Sequence, residues 1–463
     1  MQNNRNEEAV QPTIDRTKEL ETEKISKLLL AYALPAVISQ VIASIYNIAD
    51  RVFIGQGVGP LAIAGLAITM PIMNIIHAFG SLVGAGSAAR MSIVLGKKDV
   101  NWAEKILGTS MVLMFSLGAL FVTGGYLFMD KILTLFGATG ETIAYAKEYM
   151  LIVLPGMFFT TITFNLTGLI RASGYPKKSM YIMVFGAILN MILDPVFIFG
   201  LHWGISGAAW ATTISMASTA IISIIHFIDR RSFIRFRAHI WKPRLYIIKN
   251  ILMIGSSPFL MNVAASAVVA LLNTQLIRFG GDLAVGAYGI CNTICSVIVL
   301  FTIGICQGMQ PIAGYNYGAG QSARLKEVFL LTMKINVLCM TLGTVLCLAF
   351  PQYIIRAFTT DADLIRIGSR AMRFLILMFP LVGFQITNSQ FFQSIDKPWI
   401  AIVVSLGRQV LFLAPMAFIV PSILTGMGHD GLTGVWLSAT LSDVMGAVLA
   451  GMLLVSQLKV FRK

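Results

Sequence analysis

Runs of about 20 apolar residues recur along the whole chain, and a helix of that length crosses the hydrocarbon core of a bilayer. About twelve can be counted, with approximate limits 28–54, 61–95, 103–128, 142–169, 177–200, 205–228, 249–278, 284–316, 325–350, 363–393, 397–420 and 432–458. Backbone groups in lipid must bond within their own segment or close into a barrel. Continuous runs, rather than ten-residue alternating segments, select helices over a barrel. Composition agrees: 56% of the residues are hydrophobic, 12% are charged, and the mean hydropathy is +0.78. Soluble domains are about 45–50% apolar and about 25% charged. The expected fold class is therefore an all-α integral membrane protein with about twelve spans.

The net charge of +14 would suit a nucleic-acid partner, but the basic residues sit in short connections between apolar runs, so no nucleic acid is expected. Arg5, Arg16, Lys18, Lys24 and Lys27 precede the first run, and Lys97, Lys98, Lys105, Arg171, Lys177 and Lys178 follow on the same side. A dense linker set runs from Arg230 to Lys249, and Arg324, Lys326, Lys397, Lys459, Arg462 and Lys463 complete that side. The opposite connections hold chiefly Lys131, Lys147, Arg278 and Arg356. The positive-inside rule places both termini and the linker in the cytoplasm. The expected organisation is a tail at 1–27 (helical from about Thr17), six spans in 28–228, a linker at 229–248, six spans in 249–458, and a tail at 459–463.

The two halves repeat one another. LAIAGLAI at 61–68 aligns with LAVGAYGI at 283–290, and RASGYP at 171–176 with QSIDKP at 393–398, both at a shift of 222 residues. GISGAAWATTIS at 204–215 aligns with GLTGVWLSATLS at 431–442 at a slightly longer shift. Six spans per half is an even number, so the halves share orientation about an axis along the membrane normal. Two such bundles with a cleft between them suit alternating access.

Among the 21 acidic residues, three fall well inside spans: Asp50, Asp194 and Asp443. A carboxylate at the bilayer centre costs about 2.5–3.5 kcal/mol, so it marks a site or a partner. Asn190 precedes Asp194 by four residues and shares its helical face. A carboxylate withdrawn from water exchanges a proton near neutral pH more readily than one in solution. Asp50, Asn190 and Asp194 are accordingly read as a proton or sodium site, with helix-end capping as the blander alternative. Asp443 has Arg408 in the preceding span. A charge-cancelling structural pair is the preferred reading, and a second coupling site is the alternative. Pro35 lacks an amide donor and reads either as a hinge or as a helix-start proline. Arg366, Arg370 and Arg373 share one face and are expected to snorkel to the outer surface. The five cysteines lie in apolar segments without metal-site spacing and read as packing residues.

The stretches LPAVISQVIASIYNIADRVFIG, LTGLIRASGYPKKSMYIMVFGAILNMILDPVFIFG and GICQGMQPIAGYNYGAG resemble the multidrug and toxic compound extrusion (MATE) family, in particular its MepA-like bacterial branch. The likeness runs from about residue 25 to 455. It implies a V-shaped, twelve-helix monomer in the bacterial cytoplasmic membrane, made of two homologous six-helix bundles. Such a protein exports organic cations or amphiphiles by antiport with H+ or Na+ and uses no cofactor. The family's first-helix aspartate and fifth-helix Asn-x-x-x-Asp fall on Asp50, Asn190 and Asp194, which would also hold Na+. Its bending proline falls on Pro35, and its sixth-helix threonine on Thr212 or Thr213. Some relatives carry sodium-binding acids in the seventh and tenth helices. Here the tenth offers Gln385, Asn388 and Gln390 instead, which favours coupling in the N-lobe.

A flippase for lipid-linked saccharides is the rival from the same superfamily. It needs several cavity cations, and only Arg278, Lys334 and Arg408 are candidates. A membrane enzyme is not expected, because the chain lacks an HExxH, a nucleophile elbow and a phosphate-binding glycine loop.

Overall fold

The computed structural model describes residues 17–138, 140 and 142–461. Residues 1–16 of the tail predicted at 1–27, with Arg5 and Arg16, lie outside the described residues, as do Arg462 and Lys463. A short helix Lys18–Thr22 leads into α1, Ile25–Gly57. Then come α2 (Pro60–Gly96), α3 (Val100–Leu135), α4 (Thr142–Ala172), α5 (Pro176–Gly200) and α6 (Gly204–Ile228). Helical residues continue from Leu245 to Gly318, which at 1.5 Å per residue is far too long for one crossing. The run breaks at Gly281, whose φ of 67° suits a residue without a side chain. The break divides it into α7 (245–280) and α8 (281–318).

The second half continues with α9 (Ser322–Ala349) and a one-turn helix Pro351–Arg356. Next is α10, whose two pieces Ala362–Ile376 and Phe379–Ser394 meet at 48°. Then come α11 (Pro398–Gly426) and α12 (Gly431–Ser456). With the long run counted as two crossings and the bent pair as one, the described residues make the expected twelve spans.

Three apolar clusters show how the lobes meet. One draws on both halves, packing Tyr32, Val83, Met91 and Ile170 with Ile305, Met309, Ile312 and Phe391. The other two stay within one lobe each: Ile54, Leu66, Tyr149 and Ala209 in the first, Leu276, Tyr288, Met372 and Trp436 in the second. The lobes are thus fused at the end that carries the termini and linker, and each packs on itself at the other end.

Close backbone approach makes the fusion possible. A Cβ on Gly86 would lie 2.0 Å from the Ile251 carbonyl oxygen, and one on Gly255 would lie 1.6 Å from that of Leu82. Only glycine admits α2 and α7 at this spacing.

Polar contacts fasten the same end. Arg90 pairs with Asp396 at 2.8 Å, Gln310 Nε2 donates to the Ala85 carbonyl at 3.2 Å, and Arg171 donates to Gln307 Oε1 at 3.3 Å. Glu21 lies between Lys98 of one lobe and the Tyr315 hydroxyl of the other. Arg324 donates to the carbonyls of Leu20 and Glu23, so the N-terminal segment spans the junction. The linker is pinned by Arg237 to the buried Glu104 at 2.9 Å.

Candidate functional site

The site lies in the N-lobe, where α1, α4, α5 and α6 converge. Their inward faces are apolar apart from a few oxygens, so each polar side chain must find a partner among the others. Asp50 sits two turns before the end of α1, and Asp194 is fully buried near the proline that ends the regular part of α5. Pro195 lacks an amide donor, and the backbone from Val196 to Gly200 widens into a π-type turn. The regular last turn before it carries Asn190 and Asp194, four residues apart, on the face toward α1 and α6.

The carboxyl groups of Asp50 and Asp194 are within hydrogen-bonding reach of each other. With its nitrogen toward the acid, the Asn190 carboxamide donates to Asp194 Oδ2 at 3.0 Å, and its oxygen accepts from the Thr212 amide and hydroxyl, each at 3.3 Å. Asp50 Oδ1 is buried and has no hydrogen-bond donor. No lysine, arginine or histidine forms an ion pair with either acid among the described residues. Arg51, next in sequence to Asp50, turns outward to the Met70 sulfur at 3.5 Å. Two adjacent carboxylates cannot both stay ionised without a counter-charge, so this cluster must take up at least one cation, either a proton or an ion held by oxygens.

The structure thus brings together Asp50, Asn190, Asp194 and Thr212. Thr213 faces elsewhere: its hydroxyl donates to the Ile152 carbonyl of α4 at 2.9 Å. There Pro155 sits inside the helix without an amide donor, and the Tyr126 hydroxyl donates to the Leu151 carbonyl at 2.7 Å. Pro35 lies ten residues inside α1, so it is no helix-start proline, and Ser39 donates to its carbonyl at 2.9 Å.

Two tyrosines join the site that the sequence reading left out. Tyr46 lies one turn before Asp50, a signal present in the i, i+4 spacing. Tyr149 of α4, fully buried, lies beside the Thr212 side chain, and nothing local in the sequence marks it. Beside the acids lies a cavity of about 150 Å³ lined by Tyr46, His77, Thr163, Met183, Asn190 and Thr212. Asn190, Thr212 and Tyr46 stand between the acids and this cavity and belong to both.

In the C-lobe, Arg408 Nη1 meets Asp443 Oδ1 at 2.9 Å, and Gln385 Nε2 donates to the Asp443 carbonyl at 2.7 Å. Asn388 turns its amide to the Phe384 carbonyl of its own helix. No group of three or more His, Cys, Asp or Glu side chains able to hold a metal occurs among the described residues.

Comparison with known proteins agrees with this architecture. The chain is 28% identical over 445 residues to the multidrug export protein MepA of Staphylococcus aureus strain MSSA476, covering 95% of each chain. It is 27% identical over 430 residues to the MepA of Staphylococcus haemolyticus, covering 93% of each. Among solved structures, a multidrug resistance MATE family transporter of the MOP superfamily in its outward-facing conformation superposes with a TM-score of 0.90 at 24% identity, covering 98% of this chain and all of that one. MATE in its bent conformation gives the same score and identity over 97% of this chain. The MatE family model matches residues 35–196 and again 258–419, one copy in each half, and the chain therefore belongs to the MatE family.

Proposed function

We propose that this protein exports cationic or amphiphilic organic compounds across a bacterial cytoplasmic membrane by antiport with H+ or Na+, with both termini in the cytoplasm. The observation that carries this reading is the Asp50–Asp194 pair, half-buried and buried respectively, which has no ion-pair partner among the described residues and adjoins a cavity. Cation uptake by the acids and cargo binding in the cavity share three side chains, so each disfavours the other. That competition is what antiport requires. With the lobes fused at the terminal end, the cleft faces outward, where cargo leaves and the cation enters. The MepA relatives, multidrug export proteins by name, support the cargo class. The flippase alternative loses an intramembrane cation, because Arg408 is occupied by Asp443.

Energetics bear on the stoichiometry. A unit charge crossing 100 mV supplies about 2.3 kcal/mol. One proton exchanged for one monovalent organic cation moves no net charge, so the membrane potential contributes only if a second cation enters. A pair of carboxylates has room for two. The test is ethidium efflux from vesicles holding the purified protein, under an imposed pH gradient and separately an imposed sodium gradient. Asp50→Asn keeps the shape and removes the charge. It should abolish efflux under whichever gradient drives wild type, while the variant inserts and unfolds like wild type. Full efflux in Asp50→Asn would overturn the assignment.

A further inference from the structure

At the end away from the termini, α10 begins with the strongly amphipathic helix Ala362–Ile376. Arg366, Arg370 and Arg373 lie on its exposed face, while Gly368, Ala371, Met372 and Ile376 are buried on the other. Arg356, at the end of the one-turn helix Pro351–Arg356, lies across a groove of about 860 Å³. All four arginines and Ser369 line this groove, and no carboxylate does.

Nearby acids account for only part of the charge. Asp363 pairs with Arg366 at 2.9 Å and Asp430 with Arg370 at 3.5 Å, while Asp361 caps its own helix by accepting from the Leu364 amide. Arg356 and Arg373 have no ion-pair partner among the described residues. The Ser369 hydroxyl is buried and has no hydrogen-bond partner. Exposed aromatics flank the groove: Phe350 and Tyr353 pack edge to face, and Phe358 follows Arg356 by two residues. Such rings collect at the level of lipid headgroups. Unpaired arginines at that level run against the bias that keeps basic residues on the cytoplasmic side.

We infer that this groove holds the phosphate of an anionic outer-leaflet phospholipid of the phosphatidylglycerol class. Guanidinium groups grip phosphate oxygens in pairs through parallel N–H donors. Arg356 and Arg373 supply unspent donors from the two helices that line the groove, and the nearby exposed rings provide an apolar surface for the acyl chains. The lipid would tie the one-turn helix before α10 to the bent outer piece of α10, the part of the C-lobe free of the inter-lobe junction. The inference rests on the proposed orientation, with the termini in the cytoplasm.

The test is native mass spectrometry of the full chain released from nanodiscs containing phosphatidylglycerol and phosphatidylcholine. Wild type should retain phosphatidylglycerol in preference to phosphatidylcholine. Arg356→Gln/Arg373→Gln should reduce that retention about tenfold, since each variant removes a charge-assisted hydrogen-bond donor. Arg356→Lys/Arg373→Lys, which keeps the charge, should fall between them and shows that loss is not misfolding. Inorganic phosphate in millimolar excess should leave retention unchanged. Equal retention by wild type and the Gln variant, or displacement by inorganic phosphate, overturns the proposal.

Orientation is checked separately. Thr360→Cys should react with a membrane-impermeant maleimide on intact cells. Labelling confined to inside-out vesicles would overturn the orientation and the lipid site together. Labelling from outside with unchanged lipid retention would overturn the lipid site alone.

Discussion

In the N-lobe, Asp50 and Asp194 face each other beside a cavity, and neither forms an ion pair with a basic side chain among the described residues. In the C-lobe, Asp443 is held at 2.9 Å by Arg408, and Gln385 ties down its backbone. The internal repeat makes the contrast sharper. The 222-residue offset pairs Thr163 with Gln385 and Gly186 with Arg408. The 227-residue offset that aligns residues 204–215 with 431–442 pairs Met216 with Asp443 and Thr219 with Gly446. Thr163, Gly186, Met216 and Thr219 all line the N-lobe cavity. Their four C-lobe counterparts are packed together: a Cβ on Gly446 would lie 2.9 Å from Gln385 Oε1 and 3.0 Å from Arg408 Cβ. The equivalent space is open beside two acids in the N-lobe, and is filled by a mutually neutralised pair in the C-lobe. A pseudo-symmetric fold can therefore keep a cavity in one lobe at a place that its other lobe packs shut.

The largest expected effect comes from breaking the neutralised side. Asp443→Asn strands the Arg408 guanidinium in a largely buried position. It should lower stability by about 3 kcal/mol, the lower end of the range for an orphaned buried charge, because Arg408 keeps some contact with solvent. Arg408→Met/Asp443→Leu removes both charges and should return stability to within about 1 kcal/mol of wild type, as apolar replacements of buried pairs do. Thermal unfolding in detergent measures both, and dye efflux should survive in the double variant. A double variant that folds normally but no longer exports would turn the comparison around and make Asp443 a second coupling acid.

A smaller effect tests the open side. A Cβ on Gly186 would lie 2.4 Å from Thr219 Cγ2. Gly186→Ala should therefore cost about 1–3 kcal/mol of overpacking strain and reduce efflux of bulky dyes more than small ones. Gly186→Ala/Thr219→Ser removes the clashing methyl but keeps the hydroxyl that bonds Thr163 at 3.1 Å. Recovery of both readouts in the double variant ties the loss to this one contact. Efflux that stays low for dyes of every size would show that the cavity is not where cargo sits.

How much of this was legible in the sequence follows from what each feature depends on. The spans, the repeat and the acid positions are local properties of the chain, so composition and spacing reveal them. The i, i+4 relation of Asn190 to Asp194 holds on any helix, and the structure keeps it. The break at Gly281 escapes the structural continuity of 245–318 but shows in the sequence as a polar, glycine-containing gap between two apolar runs. Tyr149 was not legible, because it reaches Thr212 from a different helix and no spacing rule connects the two. The filling of the C-lobe space was half legible. A basic and an acidic residue in adjacent spans suggest a pair, but that Gln385 and Gly446 complete the packing depends on three helices meeting in space.

The smallest expected effect separates two adjacent threonines. Thr212 sits within 3.3 Å of the Asn190 carboxamide beside the acids, whereas Thr213 braces the Ile152 carbonyl in the turn before Pro155. Thr212→Val keeps the shape and removes one oxygen from the cation cluster. It should weaken the apparent affinity for the driving ion about fivefold, the equivalent of one neutral hydrogen bond of about 1 kcal/mol. Thr213→Val should leave ion affinity unchanged and lower stability by about 1 kcal/mol instead. The ion-concentration dependence of efflux, with unfolding temperature beside it, reads both. Because the two residues differ by about 100° around α6, only one can face α5 at a time. If Thr213→Val shifts the ion dependence and Thr212→Val does not, α6 turns between states, and the cation site is assembled from a different face than the one this conformation presents.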